Sequence, residues 1–173
     1  MQVLFAHGLE SGPSGRKTAW LQDAGHDVVA PDGRGMNLSQ RIAGIEQSLR
    51  ALGPTLVIGS SFGGIAALIA TVSAHANGVT ARGLLLCAPA LQLPAPPPWP
   101  SELVPPCPCI IVHGARDEII PIELSRDFVR RRHATPPASG GAAIELLECD
   151  DDHSLASSRE LVLEALARLD ALG

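Results

Sequence analysis

Lysine is nearly missing from these 173 residues, occurring once, at Lys17. Charged residues make up 18% of the chain and leave a formal net charge of −5. That balance argues against the basic stripe a nucleic-acid interface needs, and no nucleic-acid partner is expected. Long apolar runs are lacking too. None approaches the roughly 20 residues of a membrane-spanning helix, so no membrane partner is expected either. The opening residues Met1-Gln2-Val3-Leu4-Phe5 carry neither a basic n-region nor a small-residue cleavage site. They are expected to form a first strand instead of a signal peptide, which makes the cytoplasm the expected location. Cysteine is scarce at four residues, Cys87, Cys107, Cys109 and Cys149. Cys107-Pro108-Cys109 has no second pair and no nearby histidine cluster to complete a zinc site. The thiols therefore read as small buried hydrophobes, and neither metal nor cofactor is expected. Abundant Ala, Gly, Pro and Arg beside a single lysine suggests a GC-rich bacterial genome.

What is present is a globular composition, with 46% hydrophobic residues and a length suited to one domain over 1–173. Short apolar runs at Val3–Ala6, Val28–Ala30, Leu56–Ile58, Leu84–Cys87, Cys109–Val112 and Ile144–Leu147 alternate with segments of helical period. The runs are mostly continuous, as in strands buried on both faces, and the alternation predicts a parallel sheet wrapped by helices. Ser14 is expected to cap a helix running to Ala24, with Gly25 at its C′ position. Asn37 with Gln40 predicts a capping box, and Ser157 with Glu160 a second one before the last helix. Phe62–Ala76 is apolar nearly all round and should be a buried helix. Leu93–Pro106 and Thr135–Gly141 are rich in Pro or Gly and read as loops within the domain.

Gly59-Ser60-Ser61-Phe62-Gly63 follows the strand-like Leu56-Val57-Ile58 and opens the apolar helix. This is the G-x-S-x-G pattern in the strand–turn–helix context that gives it meaning. Glycines two before and two after the serine keep side chains out of a crowded, strained turn. Reading Ser60 as the central serine would require glycines where Ile58 and Phe62 stand, so Ser61 is the candidate nucleophile. An acyl-transfer site also needs N–H donors for the developing oxyanion. The amide of Phe62 is one candidate. The other candidate is the Leu9 amide, from His7-Gly8-Leu9-Glu10-Ser11-Gly12 directly after the first strand.

After the fifth strand-like run stands His113-Gly114-Ala115-Arg116-Asp117-Glu118. Asp117 is preferred as the acid that orients a histidine, with Glu118 as a solvated loop carboxylate. A structural role for Asp117, capping a helix that starts near Pro121, stays open. Asp150-Asp151-Asp152-His153 follows the last run, and His153 is the candidate general base. The three aspartates read as a solvated acidic loop, without the spaced ligands and glycine of a Ca²⁺ loop.

The order Ser61, Asp117, His153, with the His7-Gly8 loop, resembles the α/β-hydrolase superfamily along almost the whole chain. Ala30-Pro31-Asp32-Gly33-Arg34-Gly35 is similar to a turn common in that superfamily, and the compact size is similar to small bacterial esterases of the YqiA type. The resemblance implies a truncated fold without the first antiparallel hairpin, and hydrolysis of a small-molecule ester or thioester. The expectation is a six-stranded, mainly parallel sheet with helices on both faces. Its site would be formed by loops 7–14, 59–63, 88–106, 117–121 and 150–154. Only about twenty residues separate Ala88 from Cys109, too few for a cap domain with its own core. Pro94–Pro100 should be a stiff, extended rim, with Trp99 either over the acyl pocket or packed on the domain. Two other readings stay open: a non-catalytic ligand- or partner-binding protein, and peptide or C–C bond cleavage by the same triad. Oligomeric state is not legible.

Overall fold

Val3 and Phe5 enter one hydrophobic cluster and Leu4 and Ala6 another, as the two-residue period of an extended chain dictates. All four are buried, so this stretch of the first strand is apolar at every position because it has a layer on each side. The computed structural model describes residues 1–134 and 142–172; the loop expected over 135–141 lies outside the described residues. Strand β1 spans Gln2–Ala6, β2 Asp27–Val29, β3 Leu56–Ser60, β4 Gly83–Cys87, β5 Cys109–Gly114 and β6 Ile144–Cys149. They form one sheet in the order β2-β1-β3-β4-β5-β6, and every pairing is parallel. Each of the six apolar runs read from the sequence is a strand.

Helices α2 (Leu38–Leu52), α3 (Phe62–Ala76) and α4 (Glu123–Ala134) pack on one face, and α1 (Arg16–Asp23) and α5 (Arg159–Leu172) on the other. Helix α3 is the most buried, with Ile65, Leu68 and Ile69 fully inaccessible. Each such side chain contributes on the order of 1.5–3 kcal/mol relative to exposure. The strand order reverses between β1 and β3, so the loops leaving those two strands diverge and open a crevice at the carboxyl edge.

Of the four caps expected from the sequence, two form as read and two are replaced. Asn37 Oδ1 accepts the Gln40 amide and Gln40 Oε1 accepts the Asn37 amide, both at 3.0 Å. Gly25 has a φ of +83° just past α1, the left-handed C′ conformation. Ser14, however, is not the cap of α1: Gly15 holds that position without a side-chain bond. The box expected from Ser157 and Glu160 is replaced by an acceptor six residues upstream. Asp151 Oδ2 takes both the Ser157 amide and the Ser158 hydroxyl at 2.8 Å. Asp151 is thus a buried structural residue and not part of a solvated acidic loop.

The proline-rich rim also differs from a continuous extended strip. The Trp99 amide donates to the Pro96 carbonyl at 3.0 Å, closing a turn. Trp99 is half-buried and packs on the core cluster of the α2, α3 and α4 face, with its indole N–H donating to Glu46 Oε1 on α2 at 2.8 Å. Of its two expected placements, it takes packing on the domain. Among the described residues, no helix is long and apolar enough to cross a membrane.

Candidate active site

The turn from β3 into α3 reverses the chain within two residues, and its sterics explain its glycines. Ser61 sits at φ 55° and ψ −120°, a strained position for a residue with a Cβ, costing on the order of 1–3 kcal/mol. A Cβ on Gly63 would lie 2.2 Å from the Ala6 carbonyl oxygen, and one on Gly59 would lie 2.7 Å from that of Gly63. Both positions therefore exclude side chains. The Ser61 amide donates to the Cys87 carbonyl at 2.9 Å and the Ser61 carbonyl accepts the Ala90 amide at 3.1 Å. The turn is bolted to the end of β4.

Ser61 Oγ lies 3.0 Å from His153 Nε2, and His153 Nδ1 lies 2.7 Å from Asp117 Oδ2. A carboxylate only accepts, so Nδ1 carries the hydrogen and Nε2 is left to accept from the serine hydroxyl. The Asp117 side chain is fully shielded from solvent. Its Oδ1 accepts the amides of Ile119 at 2.9 Å and Ile120 at 2.8 Å, so the loop-shaping role considered for Asp117 coexists with its contact to His153. Glu118 is exposed.

A further histidine stands behind the acid. His113 Nε2 lies 3.1 Å from Asp117 Oδ2 and 2.9 Å from the Ile120 carbonyl oxygen, and Nδ1 lies 2.8 Å from Ser125 Oγ. The Ile120 oxygen only accepts, so Nε2 carries the hydrogen and Nδ1 accepts from Ser125. The carboxylate thus faces N–H groups from two imidazoles and two amides. His113 was visible in the sequence only as part of the run before Asp117; its spacing of four residues from the acid was the available signal.

The loop carrying His153 is fastened from several directions. A Cβ on Gly114 would lie 2.4 Å from the Asp151 carbonyl oxygen, so β5 and this loop meet backbone to backbone. The Arg116 amide donates to the Asp151 carbonyl at 3.0 Å. Lys17 Nζ donates to the Ser154 carbonyl at 2.8 Å from the start of α1. Leu155, at φ 54°, is fully buried and anchors the far side. Burial pushes the Asp151 carboxyl up, but hydrogen bonds from the Asp152 amide, the Ser158 hydroxyl and the Ser157 amide outweigh it and hold the group below its usual range.

On the opposite wall, the His7 ring is buried between two loops. Its Nε2 accepts the Gly33 amide at 2.9 Å, and its Nδ1 donates to the Gly8 carbonyl at 2.7 Å. The Pro31-Asp32-Gly33-Arg34-Gly35 turn therefore supports the His7-Gly8 loop. Burial is the main cause that lowers the His7 pKa from its ordinary value, and the Arg41 guanidinium adds to it. Leu9 and Phe62, the two expected amide donors, both border the cleft beside Ser61. Phe62 is the first residue of α3, where an N–H has no intrahelical acceptor.

These elements enclose a cleft of about 550 Å³ with Ser61 and His153 in its wall. Apolar groups including Phe5, Leu9, Phe62, Leu93 and Ile119 line it, with Glu10, Arg16 and Lys17 at the side formed by the first loop and α1. From the long 88–106 segment only Ala90, Gln92 and Leu93 border it. Among the described residues no group of three or more His, Cys, Asp or Glu side chains is placed to hold a metal. Cys87, Cys107 and Cys109 are buried, and burial raises the first two thiols to about 11 and about 12.

The parallel sheet with helices on both faces, its nucleophile-elbow turn and its strand order define the α/β-hydrolase fold. Solved structures carry that assignment. A candidate hydrolase of the alpha/beta superfamily from Xanthomonas campestris pv. campestris is 25% identical, with 97% of this chain and 96% of that one covered and a TM-score of 0.73. A candidate hydrolase from Agrobacterium vitis is 18% identical, covering 97% of this chain and 87% of that one with a TM-score of 0.76. The monoacylglycerol lipase of Paleococcus ferrophilus is 15% identical, covering 99% of this chain and 95% of that one with a TM-score of 0.69. No protein-family model and no curated protein matches the sequence.

Proposed function

We propose that the protein is a serine hydrolase that cleaves small-molecule carboxylic esters or thioesters through an acyl-enzyme on Ser61. The observation that carries this reading is the hydrogen-bonded chain from Ser61 through His153 to Asp117, set on a strained turn in the wall of an apolar cleft. In the first step Ser61 Oγ attacks the substrate carbonyl carbon while His153 Nε2 takes its proton. The carbonyl π electrons move to oxygen, where the amides of Leu9 and Phe62 receive the charge. Collapse expels the alcohol or thiol, which leaves with the proton from His153. Water then repeats the sequence on the acyl-serine and restores the enzyme. Asp117 holds the imidazole in the required tautomer and supports its charge.

The experiment is labelling with a fluorophosphonate probe, alongside turnover of p-nitrophenyl esters, acyl-CoA thioesters and aminoacyl amides. The wild type should be labelled and Ser61→Ala should not, with kcat falling by roughly 10³-fold or more, while Ser60→Ala stays active. An open cleft of about 550 Å³, with no cap among the described residues, favours short acyl chains, so acetate and butyrate esters should exceed palmitate. A wild type that takes neither probe nor substrate would overturn the hydrolase reading in favour of ligand binding.

A further inference from the structure

Arg41 lies on α2, away from the cleft lining, and is 5% exposed. The capping box fixes where it emerges, because its amide bonds to the carbonyl of the cap residue Asn37 at 3.1 Å. Its Nη1 donates to the His7 carbonyl at 2.7 Å and reaches the Gly8 carbonyl at 3.4 Å. Its guanidinium carbon stands 5.0 Å from the centre of the Phe62 ring. Gly33 leaves it room, since a Cβ there would lie 2.9 Å from Arg41 Nε. Among the described residues Nε and Nη2 find no hydrogen-bond partner, and no carboxylate forms an ion pair with Arg41. A buried cation without a carboxylate partner costs stability, so packing alone does not account for it.

The Gly8 carbonyl and the Leu9 amide belong to one planar trans peptide, in which C=O and N–H point in opposite directions. Whatever holds that oxygen also aims that hydrogen. Arg41 Nη1 and His7 Nδ1 both approach the Gly8 oxygen, and the same guanidinium stacks on the residue bearing the second amide. Resting on the hydrolase reading above, we propose that Arg41 is a positioning residue for the oxyanion hole. It fixes the direction of the Leu9 N–H, polarises that peptide from behind, and steadies Phe62. It touches no substrate atom.

Arg41→Met keeps apolar volume and removes the donors. With p-nitrophenyl acetate, kcat should fall by about 10- to 100-fold, KM should change less than about threefold, and Tm should stay within a few degrees of the wild type. A purely structural role would move Tm with activity. The sharper readout is the ester-to-thionoester rate ratio, because sulfur is the poorer acceptor and a well-aimed hole discriminates against it. That ratio should shrink toward unity in Arg41→Met, and Arg41→Lys should fall between the two. Equal losses on ester and thionoester, or no loss, would overturn the proposal. If Arg41→Met does not fold, Arg41→Lys decides by the same ratio. A wild type that hydrolyses nothing refutes the hydrolase reading separately. Amide hydrogen exchange then tests the positioning: exchange at Leu9 should quicken in the Arg41 variants, and unchanged exchange there would refute it.

Discussion

Replacing Asp117 by Asn changes one oxygen for one NH₂ and nothing in volume, yet the surroundings leave the amide no acceptable orientation. Oδ1 faces the amides of Ile119 and Ile120, and Oδ2 faces His153 Nδ1 and His113 Nε2. If the Asn oxygen keeps the two backbone amides, its NH₂ donates to His153 Nδ1. That drives the ring hydrogen to Nε2, which can no longer accept the Ser61 proton. If the side chain flips, the NH₂ is pressed against two backbone N–H groups. The first orientation wins because it misplaces one imidazole tautomer instead of orphaning two backbone amides, of which the buried Ile120 N–H alone is worth about 1–3 kcal/mol. A wrong tautomer costs about 10⁴ in kcat, or about 5.4 kcal/mol of barrier at 1.36 kcal/mol per factor of ten. His113 now meets an N–H₂ where it met a carboxylate, so a further stability loss of about 1–3 kcal/mol is expected. Steady-state hydrolysis of p-nitrophenyl acetate and urea denaturation measure the two effects. Glu118→Gln, at an exposed position, should leave kcat within about twofold. Retention of more than a tenth of wild-type kcat in Asp117→Asn, or an equal loss in Glu118→Gln, would refute the assignment of the acid.

Asp151→Ala removes three hydrogen bonds at 2.8 Å, two joining the His153 loop to the start of α5 and one to the Asp152 amide within that loop; unfolding free energy should drop by about 2–4 kcal/mol in denaturant titration. Trp99→Phe loses the bond to Glu46; Tm should fall by the equivalent of about 1 kcal/mol while kcat on acetate esters is unchanged, and a loss of activity would return Trp99 to the pocket. His7 is held below its ordinary pKa by burial, so the folded state binds fewer protons than the unfolded chain just below the usual imidazole range. The His7 contribution to stability is complete above roughly pH 6.5 and should be lost over the interval below it. Thermal melts across that interval measure the decline, and a substantial part of it should vanish in His7→Gln.

The six strands were legible because burial on both faces leaves them as apolar runs, and only their ends moved by a residue or two. Ser61 was legible because the turn admits no side chain at 59 or 63, a constraint written into two glycines four apart. The Asn37–Gln40 box was legible because both halves are local. Features set by distant partners were not. Nothing in Ser157-Ser158-Arg159-Glu160 announces that Asp151, six residues upstream, accepts for the start of α5. Two adjacent aspartates, Asp150 and Asp151, look alike in sequence, yet the first is exposed beside Arg116 and the second is buried. Trp99 had two placements until Glu46, on another element, supplied an acceptor for its indole.

The same distinction separates the residues at the cleft from those behind them. Strand ends deliver the first set, and each strand carries its own punctuation: His7-Gly8 after β1, the elbow after β3, Asp117 after β5 and His153 after β6. The supporting set comes from helices on one face of the sheet. Arg41 on α2 reaches the peptide that holds Leu9, and Ser125 on α4 reaches His113 behind Asp117. Each works through a buried side chain whose partner is more than ten residues away, so no short pattern records it. The two supports are also independent, since one acts on the loop after β1 and the other on the loop after β5. Residues separated in this way with no shared partner contribute additively to the barrier. Combining Arg41→Met with Ser125→Ala should therefore multiply their separate losses in kcat, whereas Ser125→Ala combined with Asp117→Asn should add little to the latter, because both act on one carboxylate.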